Sequence, residues 1–177
     1  VGAQGMTVTI EVPNEDNILH ICTNLRDADK SEIFGLMWED DPHAMANGLL
    51  ARPLGMTDVF CVDDEPVALL GTIPYWPGVW EVFAFGTNKW DKAVISLTKR
   101  AFRFLVPAIY NAGGHRAQCW SEATHTDAHK WLTGVMHAEH EATARSYGKA
   151  GQDYHLYSWD RETMVKMMEA HHVSWWQ

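Results

Sequence analysis

At 177 residues, 46% hydrophobic and 21% charged, the chain is long enough to bury one substantial core and short for two domains. A formal net charge of −9 argues against nucleic acid or an anionic membrane as partner, because binding there rests on neutralising phosphates. No apolar run approaches the ~18 residues of a membrane span, and no basic-then-apolar leader is expected.

Residues 1–5 precede the first methionine and are set aside. Residues 7–12 alternate and are β-rich, giving a first strand that Pro13 and Asn14 end. Asn14 caps a helix with Glu15 and Asp16 at its positive end, and Ile18, Ile21, Cys22 and Leu25 form its buried stripe to about Arg26. Residues 29–37 read as a short helical continuation. Asp41-Pro42, a cap followed by proline at the first helical position, opens another helix that ends before Pro53. Strands over 57–62 and 67–73 flank the turn Asp63-Asp64-Glu65-Pro66, and Pro74-Tyr75-Trp76-Pro77-Gly78 is a stiff aromatic loop.

The next stretch organises the rest. Residues 79–86 are β-branched and aromatic and end on Gly86. Thr87 and Asn88 offer capping side chains to a helix over 89–111. Its apolar sector holds Val94, Ile95, Leu97, Ala101, Phe102, Phe104, Leu105, Ala108 and Ile109. Lys92, Ser96, Lys99, Arg100 and Arg103 form a basic ridge opposite. Asn111-Ala112-Gly113-Gly114 stops the helix and 117–121 resumes as a strand, so a right-handed parallel βαβ unit is expected. Thr124 or Thr126 then caps a short helix through Leu132. Strands over 137–147 and 153–159 bracket a hairpin at Gly148-Lys149-Ala150-Gly151, and 161–170 is weakly amphipathic helix. The fold class is α/β, a mixed sheet in the order β-α-α-β-β-β-α-β-α-β-β. Residues 6–160 are expected to form one domain and 161–177 a helical, aromatic tail.

That order of elements resembles the GCN5-related N-acetyltransferases. Asn24-Leu25-Arg26-Asp27-Ala28-Asp29 ahead of Glu32-Ile33, Asp63-Asp64-Glu65-Pro66-Val67-Ala68, Lys99-Arg100-Ala101-Phe102-Arg103-Phe104-Leu105, Ala128-His129-Lys130-Trp131-Leu132 and Ser146-Tyr147-Gly148-Lys149-Ala150-Gly151-Gln152-Asp153-Tyr154 bring it closer to one branch. These resemble the acetyltransferase-like internal virion protein A type of short-tailed bacteriophages. The resemblance implies a central parallel pair that splays, with acetyl-CoA entering between Phe83-Ala84-Phe85 and Cys119-Trp120-Ser121. Phe83, Phe85, Gly86, Thr87, Lys89 and Lys92 would then contact the cofactor. Glu81 or Glu122 would serve as base toward an amine, and Tyr147 or His125 as the acid.

Two departures from the family pattern are visible. The diphosphate turn there is rich in glycine, whereas Gly86-Thr87-Asn88-Lys89-Trp90-Asp91-Lys92-Ala93 has one glycine, then a tryptophan and an aspartate. The acid tyrosine there stands where this chain has Leu132, and the preceding asparagine where it has His125. The expected function is therefore that of a virion-associated or assembly accessory protein with a degenerate acetyl-CoA site. It would work in the host cytoplasm or packaged in the virion, and meet other virion proteins, or its own copies, through the Met- and Trp-rich tail. The alternative is an active acyl-CoA-dependent N-acetyltransferase. No metal is expected, since His125, His129, His137 and His140 lack a third ligand at fixed spacing. No G-x-S-x-G elbow supports a hydrolase. Cys22, Cys61 and Cys119 form no CxxC and read as reduced core thiols.

Overall fold

The computed structural model describes residues 5–52 and 56–174, the last four of these by backbone alone. Seven strands among the described residues form a single sheet in the order β1-β2-β3-β4-β5-β7-β6. The strands are β1 (Val8–Glu11), β2 (Thr57–Val62), β3 (Glu65–Trp76), β4 (Val79–Gly86), β5 (Arg116–Glu122), β6 (Glu139–Ala144) and β7 (Tyr154–Asp160). Neighbours run antiparallel except β4 and β5, which are parallel, as the βαβ reading requires.

Helices α1 (Glu15–Thr23), α2 (Asp27–Phe34) and α3 (Pro42–Leu50) pack on one face of the sheet. The helices α4 (Trp90–Arg100), α5 (Val106–Asn111), α6 (Thr126–Gly134) and α7 (Arg161–Ser174) belong to the other face. Strand alternation divides β4 between them. Trp80, Val82 and Ala84 pack toward α4–α7, while Phe83 and Phe85 pack toward α1–α3. The caps expected at the first helices are present. Asn14 and Asn17 cap each other's backbone at 3.0 and 2.8 Å, and Asp41 accepts from the His43 N–H at 2.8 Å.

Four expectations need correction. The first hairpin turns on Asp63 and Asp64 alone, at φ 49° and 66°, so Glu65 and Pro66 open β3. Left-handed conformations at both positions match the twist of the flanking strands. The supposed aromatic loop is largely strand, because Pro74 and Trp76 still pair with β4. The long helix is three segments, with a π turn, Ala101–Leu105, between α4 and α5. Its extra residue falls just ahead of Pro107, which has no N–H to return to the preceding turn. Finally, Ile95 and Phe104 are 67% and 54% exposed, while Ala93, Leu97 and Ala101 form the buried stripe. Phe104 instead lies under the Arg100 guanidinium, 4.0 Å from its ring centre.

From α7, Met164 and Met167 enter the same core as α4 and α5 and are almost fully buried. The expected helix stop at Pro53 and the tail tryptophans Trp175 and Trp176 lie outside the described residues.

Candidate active site

The β4–β5 ladder is short. Only Val79, Trp80 and Glu81 pair with Arg116, Ala117 and Gln118. Beyond that vertex β4 continues to Gly86 against β3 and β5 continues to Glu122 against β7, but the two no longer pair with each other. The strands therefore form a fork that opens toward their C-terminal ends.

Helix α2 bridges the open ends of the fork. Asp29 and Glu32, three residues apart and so on one helix face, each take a backbone N–H from a strand end. Asp29 accepts from Gly86 at 2.8 Å, and Glu32 accepts from Glu122 at 2.8 Å. The Arg26 N–H also donates to the Gly86 carbonyl, at 3.0 Å. Gly86 permits this crowding, since a Cβ there would stand 2.5 Å from the Val67 carbonyl oxygen.

Around these anchors lies a dense polar cluster. Asp29, almost fully buried, receives the Arg26 guanidinium through Nε at 2.7 Å and Nη2 at 2.9 Å. Burial nonetheless pushes its carboxyl above the ordinary value, against the opposing pull of Arg26, Gly86 and His125. Glu32 accepts from the Ser121 hydroxyl at 2.6 Å and lies 3.1 Å from His125 Nδ1. The other imidazole nitrogen, Nε2, is 3.9 Å from Asp29. Burial disfavours the imidazolium, but the hydrogen bond to Glu32 and the charges of Glu32 and Asp29 outweigh it. His125 therefore titrates above its usual value.

The fork leads into a cavity of about 180 Å³ on the α4–α7 side. Arg26, Glu32, Ser121 and His125 give it a polar end, and the rest of its wall is almost wholly apolar. Trp90 and Trp131 meet edge to face at 6.3 Å between α4 and α6, and Trp131 Nε1 donates to Thr98 Oγ1 at 3.0 Å. The Arg26 guanidinium lies 4.4 Å above the Trp90 ring.

The sequence-predicted residues divide between two places. Phe83 lines the cavity and stacks on Phe85 at 5.8 Å. Glu81 is the last residue of β4 to pair with β5, on the face opposite the cavity, and its charge helps to raise the pKa of the Tyr75 hydroxyl. Tyr147 stacks on Trp120 at 5.1 Å and is half exposed. Glu122 is buried with both carboxylate oxygens engaged, by Ser31 at 2.7 Å and Thr124 at 2.9 Å, and is not among the cavity residues. Cys119 lines the cavity, and burial raises its thiol pKa, so it stays protonated.

Part of the phosphate-binding set is already occupied. Lys89 is paired with Glu65. The Lys89 N–H donates to Thr87 Oγ1, the Trp90 N–H to the Thr87 carbonyl and the Lys92 N–H to the Lys89 carbonyl. Those three donors cannot also join an anion nest, so a diphosphate at this turn would rely on other donors. The unpaired edges of the fork and the apolar cavity do fit an extended thioester arm. No group of three or more potential metal ligands is present among the described residues. Ser121 belongs to the strand segment expected to line the cleft, whereas Asp29 and Glu32 were not expected at the site. Two acids three apart in a short helix were the available signal.

No protein-family model matches the chain, and no curated protein matches it. Solved structures do. One described as an acetyltransferase superposes with a TM-score of 0.70 at 16% identity, covering 93% of each chain. The chain has the fold of the GNAT acetyltransferases. Ard1 from Thermoplasma volcanium matches with a TM-score of 0.66 at 14% identity, over 86% of this chain and 97% of its own. The yncA protein from Salmonella typhimurium, solved with its cofactor acetyl-CoA, matches at 0.61 and 14%, over 87% and 94%. At these identities the GNAT likeness carries the architecture: a mixed sheet with a parallel, forked central pair.

Proposed function

We propose that the protein is an acyl-thioester-dependent N-acyltransferase whose acid is His125 in place of the tyrosine expected on α6. The observation that supports this most is the fork itself. Its paired region ends at Glu81 and Gln118, and the opening beyond joins a cavity closed at its polar end by Glu32 and His125. An acyl thioester supplies an electrophilic carbonyl and a sulfur leaving group. The unpaired edges of β4 and β5 would align its arm, and the apolar wall would keep water from the carbonyl. His125, whose charged form is favoured by Glu32 and Asp29, would give a proton to sulfur. Leu132 has no proton to offer. On the opposite face, Glu81 would take the proton of the incoming amine, with Trp120 and Tyr147 forming an aromatic wall for the acceptor.

Calorimetric titration with acetyl-CoA, followed by thiol release in the presence of a lysine peptide, an amino-terminal peptide and a polyamine, tests this reading. Saturable binding with amine-dependent thiol release is expected. No heat at millimolar acetyl-CoA would sink it.

A second reading is favoured by the occupied donors at the start of α4. On it the protein keeps the fold without transfer and serves as a virion-associated accessory protein of a short-tailed phage. The exposed part of segment 161–177 would then dock on other virion proteins or on a second copy, Met164 and Met167 being committed to the core. Co-purification with capsid or portal proteins, with acetyl-CoA thermally silent, selects it.

A further inference from the structure

We infer that the apolar cavity behind the fork is a pocket for the tail of an acyl group longer than acetyl, of about six carbons. The inference rests on the acyl-thioester reading above and deepens it to a donor class. Two directions lead away from the polar end at Ser121 and His125. One follows the opening strands toward Gly86 and Glu122, where a thioester arm would enter. The other runs back beneath the vertex. The cavity wall includes Ala117, which pairs with Trp80 in the closed part of the fork and with Trp159 on β7. It also includes Ile109, Met164 and Met167 from α5 and α7. An acetyl group held at the fork would leave this rear region empty.

Well-packed interiors rarely keep a void of this size. Here the void has specific causes. Ala84, Ala101 and Ala117 place small side chains where sheet and helix face each other, and the π turn beginning at Ala101 changes the phase of the helix above them. An apolar cavity of ~150 Å³ stays dry and accepts benzene. The cavity here, about 180 Å³, therefore takes a chain of about six carbons. Met164 and Met167, flexible and polarisable, can adjust to such a chain.

The test is calorimetry on the full chain with acetyl-, butyryl-, hexanoyl- and decanoyl-CoA. Burying each added methylene should tighten binding about three- to fourfold, so hexanoyl-CoA should bind on the order of a hundredfold more tightly than acetyl-CoA. Decanoyl-CoA should gain little more. Ala117→Leu fills the rear of the cavity and should erase the gain, so that hexanoyl-CoA binds this variant no more tightly than acetyl-CoA does. Ala101→Leu, on a helix, does the same should the strand variant not fold. Acetyl-CoA binding with no gain for hexanoyl-CoA overturns this inference alone, as does a gain that survives both variants. Absence of binding by every donor overturns it together with the proposed function.

Discussion

Asp29→Ala tests whether α2 holds the fork open. The carboxylate accepts two hydrogen bonds from Arg26 and one from the Gly86 N–H at the end of β4. Three charge-assisted bonds, at ~1.5–3 kcal/mol each, set a ceiling well above what will be measured. Two features lower it. The Arg26 side chain is 24% exposed, so water can replace part of what it loses. Burial also raises the Asp29 carboxyl pKa, so the native carboxylate already carries a desolvation cost that the substitution removes. Breaking a buried pair costs ~3–5 kcal/mol, and these two features place the expected loss near ~3 kcal/mol. For a chain of this size that lowers Tm by ~6–12 °C. Asp29→Asn keeps an acceptor for Gly86 and should lose roughly half as much. Urea unfolding followed by tryptophan fluorescence gives both values. A loss below ~0.5 kcal/mol for the alanine variant would show that the end of β4 is held by something else, and the spreader role of α2 would be wrong.

His125→Gln should leave donor affinity within about twofold and lower thiol release by ~10²–10⁴-fold, with the alkaline limb of the pH–rate profile lost. An unchanged profile assigns the acid elsewhere. Stability should carry the same signature. Folding raises the His125 pKa, so its contribution is complete below ~6.5 and disappears as pH rises through the native value. Urea midpoints between pH 6 and 9 should fall in the parent chain and flatten in the glutamine variant. Lys89→Ala should change acetyl-CoA affinity by less than about twofold, because Glu65 already holds that ammonium at the surface. A tenfold loss by calorimetry would restore it as a phosphate ligand. Trp159→Phe removes the 2.6 Å donor to the buried Met136 carbonyl and should cost ~1–3 kcal/mol in thermal unfolding.

Much of the architecture was legible because its signals are local. Alternation marked β1, β-branched and aromatic composition marked β4, the caps at Asn14 and Asp41 marked helix starts, and a strand, helix and strand in succession marked the parallel pair. The errors arose where local pattern meets packing. The apolar sector drawn for the long helix took in Ile95 and Phe104, which the sheet never reaches. The π turn ahead of Pro107 depends on how that helix seats on β2–β5. The site was half legible. The sequence identified both strands of the fork, but it marked Lys89 as available without showing Glu65 beside it, since hairpin geometry decides where Glu65 stands.

The amino-acid order alone settled the sequence of strands and helices, because capping, turns and periodicity act over a few neighbouring residues. Which polar groups meet was left to the tertiary structure. Asp29 and Glu32 lie 57 and 90 residues from the strand-end amides they hold, and His125 lies 93 residues from Glu32. Partners so distant in the chain leave no periodic trace, and only the burial that brings them together gives their charges a role.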